Sequence, residues 1–134
     1  MGRLSKLNRS IKGKVALVTG AASGMGRATA HLFADEGAKV AVTDLHAGEV
    51  EKVVDEIEGS GGTAKGWVLD VTSEKDRTRV LKELEENWAD LDILVNNAGI
   101  AVETTIDNDE YQEIWDRTLA VLLTSQSMLI KTCL

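Results

Sequence analysis

Three groups of residues have types and spacings that could do chemistry. Gly20, Gly24 and Gly26 stand in Thr19-Gly20-Ala21-Ala22-Ser23-Gly24-Met25-Gly26, between the apolar run Val15 to Val18 and a helical pattern. A helix that opens inside a glycine turn presents unpaired N–H groups and the positive end of its dipole, and residues without a Cβ let an anion come close. A strand before the turn and a helix after it is the context a dinucleotide pyrophosphate requires. The second group is Asp44, eighteen residues after Gly26. A strand-end carboxylate there can accept both ribose hydroxyls of an adenosine and would repel a 2′-phosphate. Neither Ser23 nor Leu45 is the Arg or Lys that would neutralise an extra phosphate, so NAD is expected over NADP. The other reading of Asp44 is a solvated aspartate at a strand end. The third group is Asn96-Asn97-Ala98-Gly99. Its amides can bond a neighbouring strand's backbone and hold its carboxyl edge open, while Ala98-Gly99 lets the main chain approach a ribose; the four residues could equally form a turn.

The elements that must position these groups are legible from periodicity. Val15 to Val18 lacks alternation, as in a strand covered on both faces of a parallel sheet. After the glycine turn, Ala28, Leu32 and Phe33 are expected on the apolar face of a helix that stops at Asp35-Glu36-Gly37. Lys39 to Asp44 is the next strand. Val50, Val53, Val54 and Ile57 fall at i, i+3, i+4 and i+7, an amphipathic helix broken by Gly59-Ser60-Gly61-Gly62. Thr63 to Leu69 is a third strand ending in Asp70-Val71, and Thr72 or Ser73 can cap a helix buried through Val80, Leu81, Leu84 and Trp88. Leu91 to Val95 is the fourth strand. A last helix carries Tyr111, Ile114, Trp115, Thr118, Leu119 and Leu122 on one stripe, then becomes apolar nearly all round, as if buried against its own sheet and against another subunit. The repeated strand–helix beat implies right-handed crossovers, helices on both faces of the sheet and ligands at the strand C-terminal ends. The expected fold is therefore α/β, a three-layer, Rossmann-like, doubly wound parallel sheet.

Composition narrows the classes. The 134 residues, 43% hydrophobic and 28% charged, suit one globular domain: a basic arm over residues 1–13 and a body over 14–134. Every acid lies at or after Asp35, and residues 35–134 hold nine cations against 22 acids, which argues against a nucleic-acid partner for the body. Gly2 lacks the Ser or Thr at position 6 that myristoylation requires. Cys133 is the only cysteine, as expected of a reducing, cytoplasmic setting without disulfides or a cysteine-rich metal site. No apolar run is long enough to span a bilayer. His31 and His46 have no acid or cysteine at ligand spacing and read as solvated side chains.

Taken together and in order, Thr19-Gly20-x-x-x-Gly24-x-Gly26, Asp44, Asp70-Val71 and Asn96-Asn97-Ala98-Gly99 resemble the short-chain dehydrogenase/reductase family in its short branch. The resemblance implies that Gly20, Ser23, Gly24, Met25 and Gly26 line the pyrophosphate. It puts Asp44 and Leu45 at the adenosine ribose, Asp70 and Val71 at the adenine, and Asn97, Ala98 and Gly99 at the ribose on the nicotinamide side, with Asn96 bracing the sheet. It also implies hydride transfer between NAD(H) and a carbonyl or alcohol carbon of a small-molecule substrate.

The family's Tyr, Lys and Ser catalytic residues are not identifiable here. Tyr111 is the only tyrosine and the residue four later is Trp115; an unassisted phenol, with a pKa of about 10, is a poor base at neutral pH. Aligning Trp115-Asp116-Arg117 with the family puts Leu122 where an Asn supports a water relay. The chain reads as the cofactor-binding half, cut after the fourth strand and the following helix and inactive by itself. A fourth strand left at an edge would make it marginally stable and prone to aggregate. When completed, it is expected to pair with a second copy through the last helix. A natural truncated protein that binds nucleotide or a partner without catalysis is the alternative, and an unrelated Rossmann protein such as a methyltransferase is the third.

Overall fold

The structure, a computed structural model, describes residues 9–134. Strands β1 (Val15–Thr19), β2 (Lys39–Asp44), β3 (Thr63–Val68) and β4 (Ile93–Val95) form one parallel sheet in the order β3-β2-β1-β4. Leu17 sits opposite Ala41 on one side and Leu94 on the other. The chain steps outward from β1 to β3, then returns across β1 to β4. The loops after β1 and β4 therefore part at a switch point, where open α/β sheets hold ligands.

Helices α1 (Gly24–Asp35) and α2 (Ala47–Gly59) cover one face, and α3 (Glu74–Asn87) covers the other with the later α5 (Ser125–Cys133). Alternation along the strands sorts the core into two halves. Val18, Val40 and Val42 pack with Ala30, Val50, Val53 and Ile57, whereas Leu17 and Ala41 pack with Val80, Leu81, Leu84 and Leu129. The result is the three-layer, doubly wound α/β arrangement expected from the sequence. At β3 the sheet needs a glycine, because a Cβ on Gly66 would stand 2.5 Å from Val50 Cγ1 of α2.

Several local expectations are corrected. The buried face of α1 is Gly26, Ala30 and Ala34 with Phe33 beside it, while Ala28 is exposed and Leu32 is 57% exposed. Small residues four apart let this helix lie close to the sheet, which burial-by-hydrophobicity misses. The fourth strand is only Ile93–Val95, half-buried and at the sheet edge, followed by residues 96–110 without helix or strand. The last helical stretch is α4 (Tyr111–Leu119), a π-helical turn (Ala120–Thr124) and α5. Trp115, Leu119 and Leu122 on the expected stripe are exposed, and Ser125 and Leu129 are buried instead. The wider π turn rotates the face that reaches the core. The first eight residues of the expected arm lie outside the described residues; Ile11 packs on the α1–α2 core and Gly13 N–H donates to Gly37 O at 2.8 Å.

Candidate functional site

The three motif glycines have different physical reasons. A Cβ on Gly26 would lie 2.2 Å from Gly20 O and 2.5 Å from Asn97 Nδ2, and one on Gly20 would lie 2.9 Å from Ala98 Cα. Both are fixed by protein packing, since they let the loop after β1 touch the loop after β4. Gly24 differs: its φ is +54° and an added Cβ meets no atom within 4 Å. It is the glycine whose missing side chain leaves space for something else.

The start of α1 suits an anion. Ser23 is its N-cap residue but its hydroxyl makes no capping bond, and the first turn holds no acid. By contrast, α2 carries Glu49 in its first turn, and α3 has Ser73 capping Asp76 N–H with Glu74 and Asp76 beside it. The first amides of α1 therefore keep their hydrogen-bonding capacity and the dipole is uncompensated. Met25 is 80% exposed on this rim.

Asp44 closes the adjoining wall at the end of β2. Its Oδ2 accepts Ala22 N–H at 3.1 Å and its Oδ1 accepts Leu45 N–H at 2.8 Å, so the carboxylate is tied into the glycine turn. Leu45 is exposed beside it. Beyond β3, Asp70 Oδ1 accepts both the N–H and the hydroxyl of Thr72, and Asp70 N–H donates to Asp76 Oδ2 at 3.0 Å. That backbone bond, with Arg79 adding to it, holds the Asp76 carboxyl below its ordinary range. Val71 is buried, and its carbonyl accepts from Nη1 of the buried Arg77 at 2.8 Å.

The junction of β1 and β4 is stapled by Thr19, a residue outside the expected cofactor-binding set. Its buried hydroxyl donates to Val95 O at 3.3 Å and accepts from the N–H groups of Asn97 and Ala98, both at 2.9 Å. A hydroxyl has one donor and two acceptor positions, so all three are used. The threonine beside the first glycine was the available signal. The amide that braces the strands is Asn97, whose Nδ2 donates to Thr19 O at 3.0 Å and Gly20 O at 3.2 Å. This corrects the assignment of the brace to Asn96. Gly99 is exposed, and a Cβ on it would stand 3.1 Å from Leu122 Cδ2 in the π turn.

The expected site residues thus gather at the C-terminal ends of the strands: the glycine turn after β1, Asp44 and Leu45 after β2, Asp70 and Val71 after β3, and Asn97 to Gly99 after β4. Tyr111 begins α4 and stacks on Trp115 with ring centroids 6.1 Å apart. His31 is not merely solvated; its Nε2 lies 3.0 Å from Glu56 of α2. Among the described residues, no group of His, Cys, Asp and Glu could hold a metal ion, and no helix is long and apolar enough to cross a membrane.

The sequence pattern of the family described as short chain dehydrogenase matches residues 14–134. The chain belongs to the short-chain dehydrogenase family. Within the family it is 37% identical over 121 residues to an uncharacterized oxidoreductase of Bacillus subtilis, covering 90% of this chain and 42% of that protein. It is 38% identical over 113 residues to D-threitol dehydrogenase of Mycolicibacterium smegmatis, covering 84% of this chain and 43% of the relative. The crystal structure of a hydroxysteroid dehydrogenase from Escherichia coli superposes with a TM-score of 0.87 at 33% identity, covering 92% of this chain and 52% of that one. The chain spans about half the length of the curated relatives it matches.

Proposed function

We propose that residues 14–134 form the NAD(H)-binding half of an oxidoreductase of the short-chain dehydrogenase type, preceded by a short basic arm. The observation that carries this is the open position at Gly24, beside an uncapped helix start without acids and a carboxylate fixed on the same turn. The amides of Gly24, Met25 and Gly26, with Gly20 and Ser23 beside them, would hold the pyrophosphate. Asp44, with Leu45 beside it, would accept the ribose hydroxyls and exclude a 2′-phosphate, which favours NAD over NADP. Asp70 and Val71 would wall the adenine, with Arg77 holding the Val71 carbonyl in place. Asn97, Ala98 and Gly99 would border the second ribose, and the Thr19 and Asn97 bonds keep that rim rigid.

The nicotinamide, when bound, supplies or accepts the hydride exchanged with a carbonyl or alcohol carbon of a small-molecule substrate. These 134 residues contribute binding and orientation, and no paired Tyr and Lys four apart to move the accompanying proton. Leu122 offers no polar group at the rim either. We accordingly assign this stretch binding without turnover. Trp115, Leu119, Leu123 and Ile130, exposed on the last helical stretch, support pairing of two copies there. The single cysteine supports a cytoplasmic setting.

The test is Asp44→Ala combined with Leu45→Arg. It should lower NADH affinity and raise NADPH affinity, each by about tenfold, the weight of one charged contact. An unchanged preference in a folded variant would show that Asp44 is not the ribose acid.

A further inference from the structure

One carboxylate clamps α1 to α2. Glu56 Oε2 accepts from Arg27 Nε at 2.9 Å and from Arg27 Nη2 at 2.8 Å, and lies 3.0 Å from His31 Nε2. The same Arg27 is a wall of a cleft of about 340 Å³ between the start of α1 and α2, together with Ala22, Ser23, Gly24, Glu49 and Lys52. The cleft adjoins Asp44, because Ala22, which lines it, donates its N–H to Asp44 Oδ2 at 3.1 Å. Two cations therefore border the space next to the carboxylate proposed to hold the ribose. A phosphate on the ribose 2′-oxygen would project from that carboxylate, and a guanidinium fork suits such a group. Here the Nε–Nη2 edge of that fork is engaged by Glu56, which fixes the direction in which the guanidinium lies.

We infer that Glu56 is a second determinant of cofactor choice: by holding Arg27 along α2, it turns away from a 2′-phosphate one of the two cations that border that space. The inference rests on the proposal that Asp44 binds the adenosine ribose, and it deepens that proposal. Asp44 repels the extra phosphate directly, and Glu56 draws off one of the two cations that could compensate it. Arg27 is half-exposed on a long flexible stem, so releasing it requires no change in the backbone.

The test compares NADH and NADPH binding by the full chain, unsubstituted and with Glu56→Ala, Arg27→Ala or both. Glu56→Ala should raise affinity for NADPH relative to NADH by about fivefold, the scale of an ion pair at a half-exposed position. Adding Arg27→Ala should erase that gain, because the gain belongs to the released guanidinium. Glu56→Gln, which keeps the side-chain shape that holds the helix pair, should move the ratio in the same direction. An unmoved ratio in both Glu56 variants that still bind NADH would overturn the role of Glu56 alone, as would a gain that survives loss of Arg27. Failure of the unsubstituted chain to bind either cofactor would overturn the cofactor proposal itself.

Discussion

Adding the same methyl group at two glycines of one turn should produce opposite failures. At Gly26 the new carbon would stand 2.2 Å from Gly20 O, a backbone atom that cannot swing away, and 2.5 Å from the Asn97 side-chain Nδ2. Overpacking of this kind costs about 1–3 kcal/mol. Displacing Asn97 also removes its bonds to Thr19 O and Gly20 O, at roughly 1 kcal/mol each. Gly26→Ala should therefore lose about 3–5 kcal/mol, a large share of the stability of a small domain. At Gly24 the methyl group meets nothing, so the cost is that of a left-handed backbone at φ +54°, about 1–2 kcal/mol. That methyl group nevertheless fills the approach to the first amides of α1. Urea unfolding should shift the midpoint by about 2 M for Gly26→Ala and by under about 1 M for Gly24→Ala, taking a slope of about 2 kcal/mol/M. An NADH titration should show the reverse for folded protein, with Gly24→Ala at least about tenfold weaker. A Gly26→Ala variant as stable as the parent, or a Gly24→Ala variant of unchanged affinity, would refute this division of roles.

Other outcomes follow from the same contacts. Thr19→Val keeps the shape but leaves Ala98 N–H without its acceptor, while Asn97 N–H keeps Val95 O at 3.0 Å, and should cost about 1–3 kcal/mol in urea unfolding; a cost below about 0.5 kcal/mol would mean the strand ends are held otherwise. The carboxyls of Asp92, Asp76 and Glu56 are all held below their ordinary range. The Val15 N–H and then Lys14 act on Asp92, the Asp70 N–H acts first on Asp76, and Arg27 and then His31 act on Glu56. Because these folded values lie below the unfolded ones, the stabilisation is present at neutral pH and is lost as pH falls below about 4 through the folded values. Melting temperature should drop across that window, and Asp92→Asn should flatten the drop. An equally steep profile in Asp92→Asn would remove Asp92 from the account.

What the sequence discloses is what repeats. The spacing of Val50, Val53 and Ile57 and of Val80, Leu81 and Leu84 marks α2 and α3, and each packs through those residues. The parallel order follows from the alternation of strand and helix, and the candidate site follows from three motifs that only a sheet of this order can bring together. What stays hidden depends on close approach in three dimensions. The inner face of α1 is made of glycine and alanine, so hydrophobicity points instead to Leu32, which is exposed. Two adjacent amides look alike in sequence, and only the meeting of β1 and β4 makes Asn97 the brace. Thr19 works as a staple because its hydroxyl, at the end of β1, bonds groups at the end of β4 that are 76 to 79 residues away in sequence. The π turn adds a residue to the helical period, and no composition signal marks it.

The most direct measurement is a calorimetric titration of the 134-residue chain with NADH, paired with the Gly24→Val variant and with circular dichroism to establish that both are folded. The account predicts saturable, one-site binding by the parent chain and none by Gly24→Val. A folded parent chain without binding heat, or a folded Gly24→Val chain that binds as well as the parent, would contradict the placement of the cofactor at the turn after β1.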